Sequence, residues 1–96
     1  MDYRVHFTKR SLEDLADILG YIAEENSEAA AHLGNTLLDH IELLTRFPEM
    51  GERVRERSRV RKLVHTPVVV YYQVLGPRRI IQVVHVRHAA RRPPQL

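Results

Sequence analysis

Several kinds of residue and segment are missing from this 96-residue sequence, and each absence excludes a class of protein. There is no cysteine, so the chain has no disulfide framework, no thiolate metal site and no cysteine nucleophile. No apolar run approaches the roughly 18 residues that a membrane-spanning helix needs. The first residues alternate polar and apolar side chains and lack the apolar stretch of a signal peptide. We therefore expect a cytoplasmic protein with no membrane segment, no metal and no other cofactor.

Acidic side chains are nearly absent from the second half of the chain. Residues 52–96 carry eleven Lys or Arg side chains against two acidic ones, a balance of +9. Residues 1–51 carry four basic side chains against ten acidic ones, a balance of −6, so the net charge of +3 hides a strong asymmetry. Such a division is typical of a protein that binds nucleic acid or an acidic protein surface.

The acidic half is predicted to form a short strand and two amphipathic helices. Apolar and polar side chains alternate over residues 3–7, which indicates a half-buried strand. Apolar side chains then recur at helical spacing through residues 9–47, with a break before Ser27, which is a good N-cap for the second helix. Pro48 is expected to end that helix. A break this short implies an antiparallel helical hairpin.

The basic half is predicted to form three strands. Runs rich in β-branched and aromatic residues occupy residues 60–65, 68–75 and 79–87. Residues 52–59 are arginine-rich with little apolar content, so we interpret them as a surface segment. The chain, residues 1–96, is then one α+β domain of order β-α-α-β-β-β. It has an N-terminal strand, an antiparallel helical hairpin and a three-stranded antiparallel meander, with both helices packed on one face of an antiparallel sheet.

Cationic side chains near the end of the last strand are the main candidates for function. Arg87, His88 and Arg91, with Arg61 from a neighbouring strand, suit either phosphate binding during RNA cleavage or contact with an acidic protein. Both interpretations stay open at this point. His85 and His88 are three residues apart, which on a strand places them on opposite faces, so we do not expect a metal pair.

Short segments spread over nearly the whole chain carry a family resemblance. They are residues 5–8, 12–15, 21–23, 26–30, 47–51, 70–74 and 86–91. In this order and spacing they resemble the RelE/ParE toxin superfamily of bacterial type II toxin–antitoxin systems. The resemblance implies the α+β fold described above.

The superfamily has two activities, and this chain is more similar to the ParE branch. RelE-like members cleave mRNA on the ribosome, whereas ParE-like members act on DNA gyrase. The RelE-like branch carries an arginine on the central strand where this chain has Val69, and the long helical hairpin is also more like ParE. The resemblance therefore implies a gyrase poison without catalytic residues. Its target-binding residues are expected to be Arg87, His88, Arg91 and Arg92. The alternative is a ribosome-dependent mRNA endonuclease that uses Arg61, Arg87, His88 and Arg91.

The resemblance also implies a cognate ParD-like antitoxin whose acidic, partly disordered C-terminal segment wraps the toxin. The basic half is complementary in charge to such a segment, and the helical hairpin suits an amphipathic helix. We expect one toxin to bind one antitoxin, and we expect only the antitoxin of this complex to contact DNA. The antitoxin-binding residues are expected to be Leu15, Leu19, Arg61 and Tyr72.

Overall fold

Two helices pack on one mixed five-stranded sheet in the computed structural model, which describes residues 2–90. The elements are β1 (Arg4–Phe7), α1 (Lys9–Glu25), α2 (Ser27–Glu42), β2 (Glu52–Val54), β3 (Arg57–His65), β4 (Val68–Leu75) and β5 (Ile80–His88). The strands lie in the order β1-β5-β4-β3-β2 across the sheet. The predicted α+β fold, with both helices on one face of the sheet, is confirmed. Within residues 2–90, no helix is long and apolar enough to cross a membrane.

The boundaries of the helices follow from their capping residues. Thr8 has an extended backbone, and its Oγ1 accepts the Ser11 N–H at 3.2 Å, which begins α1. Asn26 ends α1 and begins α2, where its Oδ1 accepts the Ala29 N–H at 3.0 Å. The N-cap of α2 is therefore Asn26 and not Ser27, because Asn26 has the extended backbone of a capping residue and Ser27 is already helical.

Two parts of the chain differ from the predicted elements. α2 ends at Glu42 and a short 3-10 turn follows, so Phe47 lies in a loop before Pro48 with its side chain 57% exposed. Residues 52–59, interpreted as a surface segment, form β2 and the beginning of β3. These two strands pair antiparallel at the edge of the sheet. An edge strand tolerates exposed arginines because one of its sides faces solvent.

The pairing of β1 makes the sheet mixed, whereas the sequence predicted an antiparallel one. β1 runs parallel to β5 and pairs with its first four residues, 80–83. Beyond that point α1 covers the edge of β5, and the Val86 N–H donates to Asp14 Oδ2 at 3.1 Å. Asp14 therefore satisfies a backbone donor that the short β1 does not reach.

Apolar side chains are buried on both faces of the sheet. The main core lies between the helices and the sheet and is centred on side chains that are at most 1% exposed. These include Leu37, Ile41, Leu44, Val68, Val70, Tyr72, Ile81 and Val83. We call this side of the sheet the helix face. The other side, the open face, carries a smaller cluster of Val60, Val69 and Tyr71, which are 4–6% exposed. Burial on both faces explains why β4 is apolar along most of its length.

Candidate functional site

The predicted cationic residues of the last strands do not converge on one site. Residues paired across neighbouring strands point to the same face of a sheet. Arg61 and His88 pair with helix-face residues of β4, whereas Arg87 pairs with Val69 on the open face. The β4–β5 register shifts at Tyr71/Tyr72, and this irregularity moves Arg87 to the face opposite the one that simple alternation would give. The expected cluster of Arg61, Arg87 and His88 is therefore not formed. Arg91 and Arg92 lie outside the described residues.

Arg87 is held against Tyr71 on the open face. Its Nε donates to Tyr71 Oη at 2.7 Å, and its guanidinium carbon lies 5.8 Å from the centroid of the tyrosine ring. Its Nη1 donates to the carbonyl oxygens of His88 and Ala89 at 3.4 and 3.3 Å. These contacts fix a half-buried positive charge at the end of β5.

His85 is a buried histidine between α1 and the open-face cluster. Its Nδ1 lies 2.5 Å from Asp14 Oδ2, and its ring centroid lies 5.7 Å from that of Tyr71. The ring N–H is not aligned on a hydrogen-bond acceptor, so we regard the Asp14 contact as electrostatic. Burial lowers the pKa of His85; Asp14 opposes this change, and the charges of Arg10 and Arg87 add to it.

His88 lies apart from His85, beside the helices. Its Nδ1 accepts the Ala90 N–H at 3.2 Å, and its ring lines a shallow depression with Ile18 and Tyr21. Among residues 2–90, no three His, Cys, Asp or Glu side chains come together as a ligand set for a metal ion.

Two of the predicted antitoxin contacts, Arg61 and Tyr72, form hydrogen bonds to the backbone of the loop at residues 48–51. Tyr72 Oη donates to the Pro48 carbonyl at 2.8 Å and accepts the Gly51 N–H at 2.9 Å. Arg61 Nη1 donates to the Gly51 carbonyl at 2.8 Å, and its Nη2 lies 3.8 Å from Glu49 Oε2. Burial raises the pKa of Tyr72, so its hydroxyl keeps its proton. Tyr72 is 0% exposed and shapes this loop from within the core, and its contact with the antitoxin stays a prediction.

Gly51 lets the loop approach the sheet closely. A Cβ at this position would lie 2.5 Å from the Lys62 carbonyl oxygen and 2.7 Å from Tyr72 Oη. Any other residue would push the loop away from β3 and break its bonds to Tyr72. The glycine, the tyrosine and Arg61 together fix one shape for residues 48–51.

Two depressions are bordered by Val74. The loop lines one of them, and Arg61, which bonds to the loop, lines the other. The first, which we call the arginine cleft, has a volume of about 580 Å³. It is lined by four arginines, Arg53, Arg59, Arg61 and Arg78, and by residues 73–77. The second, which we call the apolar groove, has a volume of about 670 Å³. It is lined by Tyr3, Phe47, Pro48, Glu49, Met50 and Val74. Charge and exposed apolar surface therefore meet at one place on the molecule.

Leu15 and Leu19, the other predicted antitoxin contacts, are half-buried and pack against the main core. Leu19 also lies against Gly34, where α1 meets α2. The large apolar side chains that α1 exposes are Leu12 and Tyr21, at 51% and 63%. The helical hairpin therefore presents these two residues to solvent more than the predicted leucines.

Comparison with known proteins agrees with the fold and with the sequence motifs. The family model described as "ParE toxin of type II toxin-antitoxin system, parDE" matches residues 5–93. Toxin RelE2 of Caulobacter vibrioides is 32% identical over 88 residues, which cover 92% of this chain and 97% of that protein.

Solved structures of toxin–antitoxin systems have the same fold. The chromosomal ParDE system from P. aeruginosa matches with a TM-score of 0.73 and 21% identity, over 92% of this chain and 96% of that one. The RelBE2 toxin–antitoxin complex from Mycobacterium tuberculosis matches with a TM-score of 0.65 and 19% identity, over 92% of this chain and 99% of that one.

The fold and the sequence motifs together define a small toxin of the RelE/ParE superfamily, as the sequence predicted. The match over residues 5–93 is more specific: the chain belongs to the ParE toxin family of type II toxin–antitoxin systems.

Proposed function

We propose that this chain inhibits growth by poisoning DNA gyrase in the cytoplasm and is neutralised by a cognate ParD-like antitoxin. The observation that carries the proposal is the separation of Arg61 and His88 from Arg87 on opposite faces of the sheet. Cleavage of RNA requires cations around one phosphate and groups that move protons to and from its oxygens. Residues on two faces of a sheet cannot surround one phosphate.

The environment of Val69 and Arg61 supports the same proposal. Val69 is 4% exposed, and it stands where the RelE-like branch carries an arginine. Arg61 is engaged by the loop at residues 48–51, where its bonds to the Gly51 carbonyl and its proximity to Glu49 occupy the guanidinium. Neither residue offers a cation to a bound phosphate.

A poison that acts by binding needs exposed contact groups and no reacting ones. Arg87 and His88 lie on opposite faces of the sheet at the end of β5, so each stays a candidate for target binding as a separate contact. Arg91 and Arg92 stay candidates on sequence grounds. Arginine suits this role because its planar fork makes bidentate contacts with carboxylate or phosphate. The antitoxin part of the proposal is supported by the structural neighbours, two of which are described as toxin–antitoxin complexes.

The second candidate is a RelE-like, ribosome-dependent mRNA endonuclease. The observation in its favour is the 32% identity to a protein named Toxin RelE2. In this alternative Arg61, Arg87, His88 and Arg91 act in catalysis, which requires the strands that carry them to rearrange.

Paired assays on one preparation distinguish the two candidates. The purified chain is added to gyrase with relaxed plasmid, and in parallel to ribosomes programmed with mRNA. We expect inhibited supercoiling and intact mRNA, and we expect Arg87→Ala to weaken the inhibition while the exposed-arginine control Arg55→Ala retains it. Codon-phased mRNA cuts that disappear in Arg87→Ala would favour the endonuclease instead.

A further inference from the structure

The arginine cleft and the apolar groove form one continuous surface on the molecule. Both depressions are bordered by Val74. The guanidinium of Arg61 lines the cleft and lies 3.8 Å from the carboxylate of Glu49, which lines the groove. A single extended segment is therefore able to contact both depressions at once.

The two parts of this surface have different chemistry. The cleft is lined by three exposed arginines, Arg53, Arg59 and Arg78, beside the partly buried Arg61. The groove exposes large apolar side chains: Phe47 is 57% exposed and Met50 is 41% exposed. Exposed apolar side chains that line a depression beside a charged rim are typical of a protein-binding site.

The part of the loop that lines the apolar groove, residues 48–50, is fixed before any ligand binds. Tyr72 and Arg61 bond to both ends of the loop at residues 48–51, and Gly51 lets that loop sit against β3. A surface that is already ordered loses little conformational entropy on binding. The loop is thus suited to hold Phe47 and Met50 in place for a partner.

We propose that this composite surface docks an acidic segment of a partner protein, which inserts carboxylates into the arginine cleft and an apolar side chain into the apolar groove. The inference rests on the proposed function, because it identifies the neutralising antitoxin as that partner. Carboxylates match the arginines in charge and geometry. Nucleic acid fits less well, because it carries a charge on every nucleotide, and the charged side chain that lines the groove is the acidic Glu49.

Binding of a labelled synthetic peptide that alternates leucine and glutamate tests the chemistry of the surface. An oligouridylate of matching length is the competing probe. The cleft is altered by Arg53→Ala with Arg59→Ala, and Arg55→Ala is the matched control because Arg55 lies in the same hairpin but does not line the cleft.

The groove is altered by Phe47→Ser with Met50→Ser. Leu12→Ser is the matched control, because Leu12 is an apolar residue of similar exposure, 51%, on α1. All the altered side chains are exposed, so thermal melting should show that every variant stays folded.

Each double variant is expected to bind the peptide about tenfold more weakly than the wild type, while both controls bind it unchanged. Added salt should shrink the effect of the cleft variant, because its contacts are ionic, and should leave the effect of the groove variant in place. Equal binding by all variants, or no binding by the wild type, would overturn the proposal. Binding of the oligouridylate that depends on the cleft arginines and not on the groove would also overturn it, in favour of a nucleic-acid site.

Competition identifies the partner. The product of the reading frame adjacent to the toxin gene should displace the peptide from the wild-type chain. A protein from that frame that binds the toxin without displacing the peptide would overturn the assignment of this surface to the antitoxin. Either result is separate from the gyrase and ribosome assays, so failure here and failure of the proposed activity are distinguishable.

Discussion

The hydroxyl of Tyr72 connects the core to the loop at residues 48–51, and Tyr72→Phe removes that hydroxyl alone. The ring is fully buried, and its Oη donates to the Pro48 carbonyl and accepts the Gly51 N–H. Phenylalanine preserves the packing of the ring but leaves one carbonyl and one N–H without this partner. A hydrogen bond is worth about 1 kcal/mol net, and an unsatisfied buried group costs about 1–3 kcal/mol, so we expect the free energy of unfolding to fall by about 2–3 kcal/mol.

Urea denaturation and thermal melting measure this loss. For a domain of this size a loss of about 2–3 kcal/mol corresponds to a melting temperature lower by roughly 10–20 °C. Tyr21→Phe is the control, because Tyr21 is 63% exposed and its substitution should change the free energy of unfolding by less than about 0.5 kcal/mol. A Tyr72→Phe variant as stable as the wild type would show that these two bonds do not hold the loop and that the proposed docking surface is not rigid.

Three further predictions concern the same fold. Gly51→Ala should destabilise the chain by about 1–3 kcal/mol in urea denaturation, since its Cβ would meet a backbone oxygen at 2.5 Å; Gly20→Ala, whose Cβ meets nothing within 4 Å, should be neutral or stabilising. Burial lowers the pKa of His65 and of His85 in the folded state, so the unfolded chain takes up protons first. Their contribution to stability is therefore complete above the ordinary pKa of 6.5 and is lost as the pH falls below that value. Thermal melting at several pH values should show a melting temperature that decreases over this range. A melting temperature that does not change with pH would contradict the burial of these two histidines. Removing residues 91–96 should leave stability within about 0.5 kcal/mol and antitoxin pull-down intact, yet strongly reduce growth inhibition; a truncated chain that kills as well as the full one would place the target surface elsewhere.

The helices and the central strands were predictable because each has a local periodic pattern. The apolar spacing of α1 and α2 and the continuous β-branched run of β4 are set by burial, and burial is what such patterns report. The N-cap of α2 was misplaced by one residue because Asn26 and Ser27 are both good caps, and the backbone angles that decide between them are not written in the sequence.

β2 and the parallel pairing of β1 were missed for a different reason. β2 is an exposed edge strand with the sequence Glu-Arg-Val, so it shows no apolar alternation. The alternating arginines from Arg53 to Arg59 run through the turn at residues 55–56, so their spacing does not report the hairpin. Arg53 on β2 and Arg59 on β3 both line the arginine cleft. The partner of β1 is fixed by long-range packing of α1 on β5, which no local pattern reports.

The arrangement of the cationic residues around the sheet could not be predicted from the sequence. Arg61 and Arg87 were grouped because they lie on nearby strands, but a register shift between β4 and β5 decides which face each residue occupies. The apolar groove was not predicted, because the sequence pattern placed Phe47 inside α2. In the structure α2 already ends at Glu42, and Phe47 is exposed in the loop that follows. Asp14 was likewise not recognised as the group that covers the edge of β5.

Titration of purified gyrase with the purified chain in a supercoiling assay separates a gyrase poison from a ribosome-dependent endonuclease. We expect supercoiling to fall as the chain is added and to recover when the adjacent-frame antitoxin is supplied, with no cleavage of mRNA on ribosomes at the same concentrations. Unchanged gyrase activity together with codon-phased mRNA cleavage would contradict the account and assign the chain to ribosome-dependent cleavage.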